Sequence, residues 1–293
     1  MINRIMQEFR KISPNIHYLT SHSDTDRPIL AIITGQKRNL IIDAGNSADH
    51  AELLTSNINQ CGLSKQETFF VTTHWHWDHV FGAHYFPYPF IAHEKTSEKL
   101  KEMQSLEWSV SALDHRVQNG QEIEFCAEMM KREYSHLSDI KIRIPDIEFQ
   151  TRIKIDLGGV DCIVEKVGGD HSLDSTVIYV PQYQTLFLGD CMGANIYLDK
   201  WEYQPDNLKK LIQTIRGYKA NLYVESHGEP LKAEDFLSWL DILWDLSELT
   251  VKENGVGEKI KKAFRAKYAR ELTNDDEEDL TYLVNGWARQ CEV

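Results

Sequence analysis

The sequence predicts a mixed α/β (α+β) fold with two groups of strands and a helical C-terminal part. Short β-branched and aromatic runs bounded by turn residues occur from about residue 15 to 71 and again from about 142 to 188. A stretch rich in helix formers, 95–140, separates the two groups. From about Ala233 onward, apolar residues recur at near-helical spacing.

The first group begins with three short strands joined by turns, an arrangement that favours antiparallel pairing. These strands are predicted at 16–19, 29–33 and 39–43. A helix then runs from Ser47 or Asp49, which both suit an N-cap, to about Gln60. The strand 67–71 follows.

The segment 95–140 is predicted to contain two helices that are separated at Asn119-Gly120. Such a pair either covers a site and carries specificity or is a surface feature without a substrate role. The sequence leaves both interpretations open.

The second group opens with a hairpin whose strands, 154–157 and 161–165, flank a turn at Gly158-Gly159. The further elements, in chain order, are strands 176–180 and 185–188, a helix 205–218, a strand 222–224, and helices from Ala233, at 258–268 and from about Asp275. The apolar stripe of the helix after Ala233 is typical of core or of a subunit contact, so a homodimer is compatible with the sequence.

Composition argues against several classes of partner. The net charge is −13, whereas nucleic acids and anionic membrane surfaces attract basic patches. The five cysteines are widely spaced without a Cys-x-x-Cys pair, which favours a reduced, cytoplasmic protein. No apolar stretch is long enough to span a bilayer, and the N-terminus does not resemble a signal peptide. A small-molecule substrate is the expected partner.

The densest chemical signal is the stretch His74-Trp75-His76-Trp77-Asp78-His79, which directly follows the predicted strand 67–71. Imidazole and carboxylate groups are good zinc ligands. Three imidazoles and a carboxylate this close cannot all reach one ion comfortably, but they can serve two adjacent ions. The alternative without a metal site is a loop with aromatic packing and solvated histidines.

Other polar residues also stand where predicted strands end. His171 follows Gly-Gly-Asp, Asp190 follows Leu-Phe-Leu-Gly, and His227 precedes Gly-Glu-Pro. Asp43 closes an early strand before Ala-Gly. Because sites in α/β folds are built at strand ends, these side chains are candidates for one site.

Taken in order, these motifs resemble the successive metal motifs of the metallo-β-lactamase superfamily. The resemblance covers the chain from about Ile16 to Pro230. It implies a four-layer αββα sandwich of two mixed sheets in a single domain, 1–293. In that fold 95–140 would be a helical insertion over the site and 231–293 a C-terminal helical extension.

The resemblance also implies a ligand set. One metal would be held by His74, His76 and His171. The other would be held by Asp78, His79 and His227, with Asp190 as the bridge; Asp78 is also assigned as the catalytic carboxylate. Asp43 would lie under the site and orient a ligand, and Ser175 is assigned the same supporting role.

The implied activity is hydrolysis by two zinc ions with a metal-bridging hydroxide, acting on an ester-like bond: a thioester, a lactone or a phosphodiester. His76 stands where the related di-iron oxygen reductases have glutamate, which favours zinc, although iron and manganese stay open. Asp190 replaces the cysteine of the best-known β-lactamase subclass. The ligand set therefore resembles that of glyoxalase II and lactonases more than that of a true β-lactamase.

Two other function classes are compatible with these motifs. A mononuclear iron dioxygenase of the persulfide-oxidising kind would bind its ion with His74, His76 and either Asp190 or His171, and its second metal site would be empty. A non-catalytic metal-binding protein is the third, although a purely structural site needs fewer ligands.

Five further residues are candidates for the substrate pocket. Trp75 and Trp77 either pack beside the loop or form an apolar wall. Asp170, like Asp174 nearby, either satisfies backbone donors or faces the pocket. Asn195 and Tyr197 could donate a hydrogen bond to an oxyanion.

Overall fold

The computed structural model describes residues 7–292, with Glu292 described only as part of its helix. In this part of the chain, thirteen strands form two sheets and nine α-helices cover their outer faces. The chain therefore forms the four-layer αββα sandwich of two mixed sheets that the sequence predicted.

The first sheet follows the order of the chain over seven described strands. They are β1 (Phe9–Ser13), β2 (Ile16–Leu19), β3 (Leu30–Thr34), β4 (Arg38–Ile42), β5 (Glu67–Val71), β6 (Phe90–His93) and β7 (Ile147–Phe149). Strands β1 to β4 pair antiparallel, and β4 to β7 pair parallel.

The second sheet has the order β13-β12-β11-β10-β9-β8. Its strands are β8 (Arg152–Asp156), β9 (Asp161–Lys166), β10 (Thr176–Val180), β11 (Thr185–Gly189), β12 (Leu222–Glu225) and β13 (Leu231–Lys232). Strands β11 and β12 pair parallel, and the other neighbours pair antiparallel. The predicted β8–β9 hairpin turns at Gly158 and Gly159, whose φ angles of 85° and 83° suit glycine.

The helices are α1 (Ala48–Gln60), α2 (Trp77–Val80), α3 (Glu94–Gln104), α4 (Val110–Gln118), α5 (Glu124–Glu133), α6 (Pro205–Arg216), α7 (Ala233–Lys252), α8 (Gly257–Tyr268) and α9 (Asn274–Glu292). None in the described range is both long and apolar enough to cross a bilayer. Helices α1 to α5 cover the first sheet, and α6 to α9 cover the second.

Alternation along the strands creates the layers. In β3, Ala31 and Ile33 point into the core between the sheets, whereas Leu30 and Ile32 join the core beneath the first helical layer. The central core also contains Ile178 of β10. The central strands of each sheet are thus buried on both faces, which explains why strands such as β3 and β11 read as nearly continuous apolar runs.

The helices differ from the prediction in one segment, 95–140, and agree with it in the apolar stripe of α7. The segment 95–140 contains three helices rather than two, because the chain also breaks between α3 and α4, where Ser109 caps α4 by accepting from the Ala112 N–H. The apolar stripe of α7, including Phe236 and Leu240, is buried against the second sheet. Because that stripe belongs to the core, it does not offer a subunit contact, and the homodimer stays a prediction.

Candidate metal centre

The candidate ligands lie at one edge of the sandwich, where parallel strands of both sheets end. The first four, His74 to His79, follow β5, and Asp78 and His79 lie within the short helix α2. Asp190 follows β11, and His227 lies two residues beyond β12. His171 lies in the loop between β9 and β10. The predicted ligands, although distant in sequence, are therefore brought to the same place.

The structure divides these side chains into two groups. His74, His76 and His171 form the first, and the second consists of Asp78, His79, Asp190 and His227. Within each group the candidate ligand atoms lie within 4.8 Å of one another. The two groups are those that the family resemblance implied, with Asp190 placed in the second.

Asp190 lies between the two groups. Its Oδ2 is 3.8 Å from His74 Nε2 and 3.7 Å from His171 Nε2 in the first group. In the second group it is 3.1 Å from His79 Nε2 and 3.5 Å from His227 Nε2. One carboxylate oxygen thus faces imidazole nitrogens from both groups, the position that a bridging ligand requires.

The donor atoms of the first group fit a metal ion. The Nε2 atoms of His74, His76 and His171 are buried and have no hydrogen-bond partner among the described residues. His171 Nδ1 lies 3.1 Å from the Ala194 carbonyl, which can only accept, so that nitrogen carries the proton and Nε2 keeps its lone pair. Buried polar atoms without partners are costly, and a metal ion would satisfy all three.

Asp43 supports ligands of both groups from beneath. Its carboxylate accepts from the Thr73 backbone N–H at 2.7 Å, from the Thr73 hydroxyl at 3.0 Å and from His79 Nδ1 at 2.9 Å. Since the Thr73 proton is used on Asp43, its Oγ1 accepts from His74 Nδ1 at 3.2 Å. Asp43 therefore orients His79 directly and His74 through Thr73. The Ser175 hydroxyl makes no hydrogen bond within the described residues, so its supporting role remains a prediction.

The charges of the two groups differ. Burial lowers the pKa of His74, His76 and His171, which favours the neutral imidazole that binds metal. Burial would do the same to His79 and His227, but the neighbouring carboxylates raise the pKa of both well above the usual value. Burial alone would raise the pKa of the Asp78 and Asp190 carboxyl groups, but the neighbouring His79 and His227 lower both pKa values instead.

An aromatic wall stands beside the first group. The Trp75 ring is 4.6 Å from the His76 ring and 5.5 Å from that of Tyr197 (centroid distances). Tyr197 also packs 5.3 Å from His76, and its hydroxyl lies 3.3 Å from Glu122 just before α5. The Lys99 ammonium group lies 5.9 Å from the Trp75 ring centroid. Residues of 95–140 thus contact the rim of the site.

Other predicted pocket residues face elsewhere. Trp77 is only 2% exposed and packs in the core beside Phe81, which corrects its assignment to the pocket. Asp170 accepts from the Gln204 backbone N–H at 2.9 Å just before α6, as the bland interpretation predicted. Burial raises the Asp170 pKa to about 6. Asn195 uses its side-chain oxygen to accept from the Tyr197 N–H at 3.1 Å.

Asp174 likewise turns inward. It accepts from the Thr96 hydroxyl of α3 at 2.6 Å and from the neighbouring Ser172 hydroxyl. This contact ties the loop that carries His171 to the helical segment.

Sequence reasoning missed two carboxylates beside the site. Asp26, in the loop between β2 and β3, lies 3.5 Å from His227 Nδ1, and burial together with Asp78 raises its pKa to about 7. Glu122 is the partner of Tyr197 described above, and burial raises its pKa. Neither residue belongs to a motif, so only the folded chain reveals its location.

Comparisons with known proteins agree with this geometry. The model of the family described as the metallo-beta-lactamase superfamily matches residues 29–227. No curated protein matches the chain significantly. A metallo-beta-lactamase from Pontibacter korlensis superposes with a TM-score of 0.56 at 22% identity, covering 80% of this chain and 99% of that one.

Two further solved structures share the fold. The DIM-1 metallo-beta-lactamase has a TM-score of 0.56 at 19% identity and covers 83% of this chain and 96% of its own. The inverting sec-alkylsulfatase Pisa1 from Pseudomonas sp. reaches a TM-score of 0.66 at 15% identity. That alignment covers 97% of this chain but only 50% of the sulfatase. From the family match over 29–227 and the shared sandwich, the chain belongs to the metallo-β-lactamase superfamily.

Proposed function

We propose that this protein is a dinuclear metallohydrolase, with zinc as its resident metal, that cleaves an ester-like bond in a small molecule. The observation that carries the proposal is the position of Asp190 Oδ2, within 3.1–3.8 Å of four Nε2 atoms from both groups. A single ion would need only one of these groups. The assembled second group therefore favours two ions over the mononuclear iron alternative.

The donor types support zinc. Three neutral imidazoles plus one shared oxygen make a four-coordinate set that zinc accepts readily. Asp78, His79 and His227 with the same shared oxygen would hold the second ion. When bound, two such ions supply positive charge and lower the pKa of water to near neutrality.

The residues of this chain set the charge and shape of the site. Asp78 and Asp190 would contribute two negative charges against the four positive charges of two divalent ions. The net positive charge that remains would stabilise the negative charge that develops on a carbonyl or phosphoryl oxygen of the substrate. The wall of Trp75 and Tyr197 gives the substrate an apolar surface on the side of His76. Asp78 remains our candidate for the catalytic carboxylate. Its Oδ2 lies 3.0 Å from His79 Nε2 and 3.1 Å from His227 Nε2.

The candidate bonds are those of thioesters, lactones and phosphodiesters. One structural neighbour is a sec-alkylsulfatase, so sulfate esters belong in the same substrate panel. All of these share an electrophilic centre bonded to a leaving oxygen or sulfur.

The test is a hydrolase panel on zinc-reconstituted protein together with a metal count. We expect about two zinc ions per chain and hydrolysis of at least one class, abolished in His76→Ala, which removes a ligand of the first group. His115→Ala, an exposed histidine on α4, is the matched control and should retain full activity. Equal activity in His76→Ala, or a single iron per chain, would overturn the proposal.

A further inference from the structure

Asp26 lies outside every metal motif, yet its side chain reaches the most exposed ligand candidate. Its Oδ1 is 3.5 Å from His227 Nδ1. The opposite ring nitrogen, His227 Nε2, faces Asp78 Oδ2 at 3.1 Å and Asp190 Oδ2 at 3.5 Å. The imidazole of His227 therefore stands between Asp26 on one side and the second group on the other.

Other ligand candidates show what a fixed imidazole looks like in this site. His79 Nδ1 is held by Asp43 at 2.9 Å, and His171 Nδ1 by the Ala194 carbonyl at 3.1 Å. Both rings are well buried. His227 differs, since 37% of its side chain is exposed and it follows the end of β12 on a loop. Without a partner for Nδ1, this ring would be the least constrained of the candidates.

The backbone around Asp26 is built to present its carboxylate. His22 and Arg27 exchange two backbone hydrogen bonds of 2.8 Å each, which close the turn that contains Asp26. The turn places Asp26 in the left-handed region, with φ of 56°. Ile29 N–H donates to the Ser226 carbonyl at 2.7 Å, so the chain just after this turn is joined to the residue before His227.

We propose that Asp26 positions His227 and thereby sets the affinity of the second metal ion. A carboxylate at Nδ1 fixes the tautomer that leaves Nε2 free and makes the ligand more basic. The 3.5 Å separation is within ion-pair range and slightly longer than a strong hydrogen bond. The inference rests on the dinuclear site proposed above and assigns Asp26 no direct contact with substrate.

The test uses two variants that keep the turn. Asp26→Asn and Asp26→Gly both tolerate the left-handed conformation, but only asparagine retains a side-chain oxygen. Asp24→Asn removes the same charge from an exposed position in the same turn and serves as the matched control. Thermal unfolding of each metal-free variant establishes that it is folded.

Metal affinity is measured by titrating full-length, metal-free protein with Zn²⁺ against a competing chelator, and with Co²⁺ to follow the absorption of each site. We expect an unchanged first ion and a second ion weakened about 10- to 100-fold in Asp26→Gly. Asp26→Asn should lie between Asp26→Gly and wild type, and Asp24→Asn should match wild type. An effect of charge alone would instead make Asp26→Asn equal to Asp26→Gly, which would overturn a positioning role.

Failure of this inference differs from failure of the proposed function. If wild type binds two ions and the second binds Asp26→Gly within twofold of wild type, Asp26 does not position His227, while the dinuclear hydrolase stands. If wild type binds only one ion, both proposals are overturned.

Discussion

Substitution of Asp43 by asparagine tests how the site is supported from beneath. The Thr73 N–H, 2.7 Å from Oδ1, requires an acceptor, so the amide oxygen of asparagine would take that position. The amide NH₂ would then replace Oδ2, which now accepts from His79 Nδ1 at 2.9 Å. That NH₂ donates to Nδ1 and moves the imidazole proton to Nε2, the nitrogen that must bind metal.

The size of the effect follows from the bond that is lost. When the second ion binds, the His79 proton must return to Nδ1, where it meets a donor instead of a carboxylate. A hydrogen bond to a charged group contributes about 1.5–3 kcal/mol. With about 1.4 kcal/mol per tenfold change, the second ion should bind about 10- to 150-fold more weakly. Because asparagine tolerates the left-handed φ of 60° at residue 43, the metal-free fold should survive.

The assay is a Zn²⁺ titration against a competing chelator, with circular dichroism of the metal-free protein as the check on folding. Asp49→Asn, an exposed acid-to-amide change on α1, is the control and should leave both affinities unchanged. A second-ion affinity within twofold of wild type in a folded Asp43→Asn variant would refute the assigned tautomer of His79.

Three further substitutions test the fold and the wall. Gly189→Ala should destabilise the protein more than Gly62→Ala in chemical denaturation. Both glycines have positive φ, but a Cβ at residue 189 would lie 2.7 Å from the Thr73 side chain, whereas a Cβ at residue 62 would meet no atom within 4 Å. Equal losses of stability in the two variants would contradict this prediction. Burial raises the pKa of the Asp279 carboxyl from 3.8 to about 7, so wild type loses stability as pH rises through that window. Asp279→Asn should therefore stabilise the protein at pH 8 by up to about 4 kcal/mol and have little effect near pH 4. A gain in stability that does not depend on pH would refute this prediction. Tyr197→Phe keeps the ring of the wall, and the lost hydroxyl already contacts the Glu122 carboxylate at 3.3 Å, so KM and kcat should both stay within a few-fold of wild type. A hundredfold loss of kcat would instead assign the hydroxyl to the oxyanion.

The sequence predicted the central strands closely and missed three of the four edge strands; the fourth, β8, was predicted because it belongs to a hairpin with a glycine turn. Strands β5 and β10 occupy their predicted ranges, because 68–71 and 176–180 are runs of mostly buried β-branched and aromatic residues. Strands β1, β7 and β13 were not predicted. All three lie at sheet edges, where strands are short and partly exposed, so they lack the apolar pattern on which a prediction depends.

The same contrast holds in the site. His74 to His79 could be found because the ligands are adjacent in sequence and follow a strong strand. Asp26 and Glu122 could not, since each reaches the site from a loop whose place depends on packing between distant parts of the chain. Trp77 was misplaced for a related reason: a tryptophan beside two ligands can face either the pocket or the core, and only the short helix α2 decides which.

Backbone strain occurs at two carboxylates beside the site, Asp26 and Asp43. Five described non-glycine residues have positive φ: Asp26 and Asp43, at 56° and 60°, and Gln184, Asn254 and Ala269, which lie at helix ends or turns away from the site. Such conformations cost of order 1–3 kcal/mol and persist where surrounding structure enforces them. At Asp43 the enforcement comes from two backbone hydrogen bonds: its own N–H donates to the Val71 carbonyl at 2.8 Å, and the Ala44 N–H donates to the His79 carbonyl at 2.9 Å. At Asp26 it comes from the His22–Arg27 bridge. Both strained residues are carboxylates directed at imidazoles of the second group, so the rigid sandwich bears a conformational cost to hold that group in place. A site that bound only the first ion would have no use for Asp26, whereas it would still use Asp43, which supports His74 of the first group through Thr73.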